Sequence, residues 1–221
     1  IPRSLSEESS ESVLRGLWTA IGFALHSRTL LGLLYITIVM NTLAFPVQQF
    51  IPAIGRDHLD VGVALVGLLV AAEGIGQLSG AGLIALKRNV RYHGRIFALG
   101  SVSICVITFI WVWSPWYAVT FVLLAIGGIG QSGFGTMQSA VTLLASPPEL
   151  RGRMMGLLSF CIGVGTPIGG LEMGAIAAMI SIQGAISANV AAGLLVMLPA
   201  LILTPLLWQP LVQPPRATAE A

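Results

Sequence analysis

Charge is scarce in this sequence. Lys, Arg, Asp and Glu together make up 9% of its 221 residues, against roughly 25% in an ordinary water-soluble domain. Cysteine is scarcer still. Cys105 and Cys161 both fall in apolar runs with no ligand spacing around them, which argues against a disulfide framework or a zinc site and leaves no cofactor to expect. Despite a net charge of +2, no clustered basic face with polar or aromatic partners is present, so nucleic acid is not an expected partner. The first ten residues are polar and acidic and the chain opens on Ile1. That is no secretory leader, and the expectation is a segment of a longer protein.

What the chain has in excess is apolar length. Hydrophobic residues reach 55% and the mean hydropathy is +0.88. Six runs are long enough to cross a hydrocarbon core of about 30 Å as helices of about 20 residues. They are predicted near 29–51, 61–86, 96–113, 117–145, 154–179 and 185–208, separated by the short breaks GRDHLD, LKRNVRYHGR, SPW, SPPELRGR and SIQG. The expected fold class is all-α and integral to a lipid bilayer: a region 1–28, a six-helix region 29–208 and a tail 209–221.

Ahead of the first span, Leu14, Leu17, Trp18, Ile21 and Leu25 recur at helical spacing, with Glu11, Arg15 and His26 elsewhere on the wheel. This predicts an amphipathic helix lying along the membrane surface. Orientation follows from the basic residues. Six spans put both ends and the second and fourth loops on one side, which holds Arg3, Arg15, Arg28, Lys87, Arg88, Arg91, Arg95, Arg151, Arg153 and Arg216; only Arg56 is opposite. Both ends are therefore expected in the cytoplasm. Trp111, Trp113 and Trp116 should then mark the outer interface and Trp208 the inner one. In the fourth loop, Ser146, Pro147, Glu149 and Arg153 have the spacing of a capping box at the head of a short helix.

Two acids stand inside apolar spans, where an ionised carboxylate is costly: Glu73 near the middle of the second, and Glu172 nearer the outer end of the fifth. Such an acid takes up a proton, or faces a polar cavity or a cation, so both are candidates for proton coupling. Glu73 shares its helix face with Leu69, Gly76, Gln77 and Gly80. Glycines Gly76 and Gly80, Gly165 and Gly169, and Gly170 and Gly174 have the four-residue spacing of close helix packing in lipid. Amides repeat at seven residues. Gln131 and Gln138 flank Phe134 in the fourth span, and Asn41 and Gln48 flank Phe45 and Pro46 in the first. Amides beside an aromatic suit a wet cavity for amphipathic organic molecules, and equally suit hydrogen bonds between helices. Pro46, Pro167 and Pro199 are placed to kink their helices.

Catalysis finds little support. GQSGFG sets Gly130, Ser132 and Gly133 as rhomboid-type intramembrane proteases do, but His26, His58 and His93 all lie upstream and outside the predicted spans, leaving no base for the serine. The paired Asn-Pro-Ala turns of aquaporin-like pores do not occur. The chain is not expected to be an enzyme.

The segments NTLAFPVQQFIPAIGRDHL, VGLLVAAEGIGQLSGAGLIA and GFGTMQSAVTLLASPPELRGRMMGLLSFCIGVGTPIGG, with the spacing between them, resemble the C-terminal half of major facilitator superfamily transporters. The branch most similar is that of the enterobactin and macrolide exporters. The resemblance covers about residues 11–210 and is most specific from Met137 to Gly156. It implies that the six spans are helices seven to twelve of a twelve-helix transporter, in two inverted three-helix repeats. Residues 1–28 would end a cytoplasmic linker. The first and fourth helices would line the substrate cavity, making Asn41, Gln48, Gln131, Phe134 and Gln138 its candidates. The second and fifth, with Glu73, Glu172 and the paired glycines, would face the other half. Arg88, Arg95, Arg151 and Arg153 would serve as a cytoplasmic gate. The implied partners are a small-molecule substrate such as a drug or siderophore, protons, and the N-terminal six-helix half. The second-loop segment Gly82 to Arg95 departs from the family pattern in lacking its aspartate. From the residues alone, a non-transporting six-helix membrane binding or scaffold protein is the alternative.

Overall fold

The computed structural model describes residues 16–86 and 92–208. Arg88, a gate candidate, lies outside the described residues, as do Leu14 of the amphipathic stretch and the tail from 209 onward. Among the described residues every regular element is helical. Helix α1 covers 16–26. The first span runs as α2 (Arg28–Val39), a π-helical turn (Met40–Ala44), a 3-10 stretch (Phe45–Phe50) and α3 (Ile51–Asp57). Then come α4 (Val63–Leu86), α5 (His93–Trp111), α6 (Tyr117–Ala145), a 3-10 turn (Pro148–Leu150), α7 (Arg151–Met179) and α8 (Ile182–Leu203). These make six segments long and apolar enough to cross a membrane.

In lipid, helices gain little from hiding apolar surface from one another, so close backbone approach and interhelical hydrogen bonds must hold the bundle. Glycine provides the approach. A Cβ added to Gly76 would run into the Ala125 carbonyl, and one added to Gly128 into the Glu73 carbonyl, so α4 and α6 touch backbone to backbone. Gly80 continues this seam, where an added Cβ would come within 2.9 Å of the Ser132 Cβ, and at Gly100 of α5 an added Cβ would come within 2.7 Å of the Gly130 carbonyl. On the other side α7 packs on the first span, Gly165 meeting Asn41 and Gly169 meeting the Thr42 carbonyl and Pro46. Gly170 and Gly174 face Gln49 and Phe50. All six paired glycines thus pack helices within this bundle. Exchanging spans one with four, two with five and three with six maps the α4–α6 seam onto the α7–first-span seam, and α5–α6 onto α8–first span, as an inverted repeat requires.

Pro46 breaks the first span. Lacking an N–H, it cannot serve the Thr42 carbonyl four residues back, and the chain answers with the π turn over 40–44 and the 3-10 stretch after it. That carbonyl is the atom on which Gly169 closes. Pro167 and Pro199, by contrast, sit inside continuous helices. The Tyr35 hydroxyl donates to the Val196 carbonyl beside the second of them at 3.0 Å.

Several expectations need correction. The first span extends to Asp57, so the start of GRDHLD is helix, because Gly55 lets it pack on Val66 and Leu69. Third and fifth spans begin three residues early, placing His93, Arg95, Arg151 and Arg153 in first helical turns. The sixth runs Ile182–Leu203, ending before its predicted limit. No capping box forms at the fourth loop: the Ser146 hydroxyl turns back to donate to the Thr142 carbonyl at 2.6 Å, and Pro148–Leu150 has no side-chain cap. Trp111 is not an interfacial indole but a core residue, 2% exposed among Ile51, Leu124 and Met173. Trp113, Trp116 and Trp208 are exposed. In α1 the inward face is Ala20 and Ala24, with Leu17 and Ile21 partly buried, while Trp18 and Leu25 turn outward.

Candidate functional site

The irregular stretch of the first span places its polar side chains where a regular helix would not. Asn41 falls in the π turn and Phe45 and Gln48 in the 3-10 stretch. With Gln77 of α4, Gln131, Phe134 and Gln138 of α6, and Thr166 of α7, they line one cleft of about 750 Å³. All five predicted cavity residues therefore meet in a single space. They do not play one part there.

Asn41 and Gln138 are buried, 4% exposed each, and their amides are engaged inside the bundle. Asn41 Nδ2 donates to the Thr37 carbonyl at 2.8 Å and its Oδ1 accepts from the Thr166 hydroxyl at 3.3 Å. Gln138 Nε2 donates to Thr37 Oγ1 at 2.7 Å. One threonine thus serves two amides and ties the first span to α6. Phe134 is a wall, edge-on to Phe45 at 5.1 Å and stacked on Phe97 at 4.9 Å. The freer amides are Gln48 and Gln131, both half-buried. Among the described residues the Gln131 side chain has no hydrogen-bond partner, so its donor and acceptor are presented to the cleft.

Gln48 joins the cleft to Glu73. Its Nε2 donates to Glu73 Oε1 at 2.6 Å. Behind the pair is a void of about 30 Å³ lined by Glu73, Gln48, Gln131, Thr108 and Trp111. That is room for a water molecule and little more. Glu73 is the one ionisable group among the residues lining the two spaces. Glu172 is elsewhere: it accepts from Asn189 Nδ2 at 3.2 Å in the seam of α7 and α8 and does not line the cleft.

Two of the arginines at the ends of the spans, Arg95 and Arg151, are held by backbone carbonyls. Arg95 Nε donates to the Leu207 carbonyl at 2.5 Å, its guanidinium 4.2 Å over the Tyr92 ring. Arg151 Nε reaches the Leu143 and Ser146 carbonyls at 3.1 and 3.4 Å, an arrangement that also suits the negative end of the α6 dipole. Arg153 is exposed and passes beside Gly16 of α1. Sequence reasoning missed Thr37, Gln77 and Thr166 as members of the site. Gln77, one turn from Glu73, carried a signal; the two threonines carried none.

A family model of the Major Facilitator Superfamily matches residues 17–221. No curated protein matches the chain. The chain belongs to the major facilitator superfamily, whose members are secondary transporters.

Proposed function

We propose that this superfamily member is the C-terminal half of a twelve-helix exporter that moves amphipathic small molecules, such as drugs or siderophores, against an inward flow of protons. In this reading residues 1–28 end a cytoplasmic linker and 209–221 form a cytoplasmic tail of a bacterial inner-membrane protein. The N-terminal half completes the cleft. Gln131 and Gln48 bind the substrate's polar groups, Phe45 and Phe134 bound its apolar part, and Asn41 and Gln138 hold the first and fourth spans in register. Arg88, Arg95, Arg151 and Arg153 stand at the cytoplasmic closure.

The observation that carries the proposal is the Gln48–Glu73 hydrogen bond, which puts a membrane-depth carboxylate one side chain away from the cleft. A dry interface accepts a neutral acid far more cheaply than a carboxylate. Protonation of Glu73 therefore favours whichever state closes α4 against the other half. A differential of about 5.5 kcal/mol reverses a 1:99 population, within reach of charging a desolvated acid. Glu172, paired with Asn189 away from the cleft, acts in this reading as a brace between α7 and α8.

The test is efflux by the full-length protein in proteoliposomes under an imposed pH gradient, with ethidium and a macrolide as probes. Glu73→Gln should cut gradient-driven efflux at least about tenfold and leave substrate exchange without a gradient intact. Gradient-driven efflux equal to that of the wild type would remove Glu73 from coupling. A parallel Glu172→Gln variant should keep its coupling.

A further inference from the structure

At the arginine-rich end of the bundle, a groove of about 430 Å³ separates the start of α2 from the end of α8. It is lined by Arg28, Ile202, Leu203, Thr204, Pro205 and Trp208. We propose that this groove binds an anionic glycerophospholipid, the phosphate on Arg28 and an acyl chain along Ile202 and Leu203.

The groove is preformed. Helix α8 ends at Leu203 because Thr204 turns extended, its hydroxyl and N–H both donating to the Ala200 carbonyl at 2.5 and 3.1 Å. The Thr204 side chain wedges against α2, where a Cβ on Gly32 would come within 2.6 Å of it. On the far side the turn rests on α5. Gly94 closes on the Leu206 carbonyl and Arg95 grips the Leu207 carbonyl, while the Leu206 side chain is 2% exposed. The turn that carries Trp208 is thus fixed to two helices.

The lining matches the ligand's parts. Arg28 is exposed and, among the described residues, has neither a hydrogen-bond nor an ion-pair partner, unlike Arg95 and Arg151. An unpaired guanidinium at the level of the headgroups is built for a bidentate phosphate contact. Trp208 is exposed beside it, as an indole at the polar–apolar boundary prefers. Ile202 and Leu203, both exposed, continue the wall toward the hydrocarbon. Basic pockets between helix ends on this side of a membrane favour anionic headgroups over zwitterionic ones. The proposal rests on α2 and α8 and not on the transport reading.

To test it, full-length protein in a mild detergent is titrated with phosphatidylglycerol and with phosphatidylcholine of identical acyl chains, and bound lipid is counted by native mass spectrometry. The wild type should prefer phosphatidylglycerol by about fivefold. Arg28→Ala should erase that preference and Arg28→Lys should keep part of it. Trp208→Ala should lower occupancy by both lipids, and Arg56→Ala, at the opposite end, should change nothing. The site is overturned if Arg28→Ala retains the wild-type preference, or if equimolar inorganic phosphate displaces the lipid, which would make it a free-phosphate site. Should Arg28→Ala fail to fold, as judged by its melting, a full wild-type preference in Arg28→Lys together with unchanged lipid occupancy in Trp208→Ala overturns it equally.

Discussion

Two glycine seams occupy equivalent positions in the repeat, yet they are built differently. Between α4 and α6 both helices are unbroken, and glycines on each side, Gly76 and Gly128, bring carbonyl and Cα into mutual contact. Between α7 and the first span only one partner is a regular helix: Gly165 and Gly169 press on Asn41, Thr42 and Pro46, in the π turn and its 3-10 sequel. A regular helix has one register. A π turn is an inserted residue that can be relocated along the helix, and such turns concentrate at functional sites. The first seam therefore fixes geometry, while the second puts the cleft residues Asn41, Phe45 and Gln48 on the part of the bundle most able to rearrange.

Substitutions can break or sharpen this contrast. The largest effect is expected from Gly76→Val or Gly128→Val, which drive side-chain carbons into backbone that cannot yield. Each should cost about 3 kcal/mol, read as a drop in melting temperature of the full-length protein in detergent; an undiminished melting temperature would mean the α4–α6 seam is not tight. Gly169→Val should cost less, about 1–2 kcal/mol, because the broken span can give way, while transport should fall at least about tenfold. Equal stability losses at both seams would erase the distinction. Pro46→Ala restores a donor for the Thr42 carbonyl, so stability should stay within about 1 kcal/mol of wild type, and transport should fall as the irregular stretch becomes ordinary helix. The smallest effect belongs to Gly67→Ala and Gly163→Ala, where a Cβ meets nothing within 4 Å. These should stabilise by no more than about 1 kcal/mol through helix propensity alone.

The six spans were legible in the sequence because a bilayer demands uninterrupted apolar length, and their number and order follow from that single requirement. What hydropathy does not carry is which apolar residue faces lipid and which faces protein. Trp111 and Trp113 look alike in sequence, but the first is in the core and the second exposed, its indole N–H donating to Ser187 at 2.7 Å. The cleft was partly legible, since a seven-residue repeat of amides keeps each pair on one helix face. The link from Gln48 to Glu73 was not. It spans 25 positions and two helices, and it depends on where the break at Pro46 leaves the chain. The arrangement within the cleft was equally hidden, for nothing in the sequence separates Gln138, spent on Thr37, from Gln131, whose side chain has no hydrogen-bond partner among the described residues.

Thr37 has a consequence for how tightly anything can be held. Its hydroxyl is committed to Gln138 and its carbonyl to Asn41, so a guest wanting either amide must first evict an existing partner and gains only the difference. Swapping one hydrogen bond for another nets about 1 kcal/mol or less. A secondary transporter must let go of what it binds, and a grip that loose serves release.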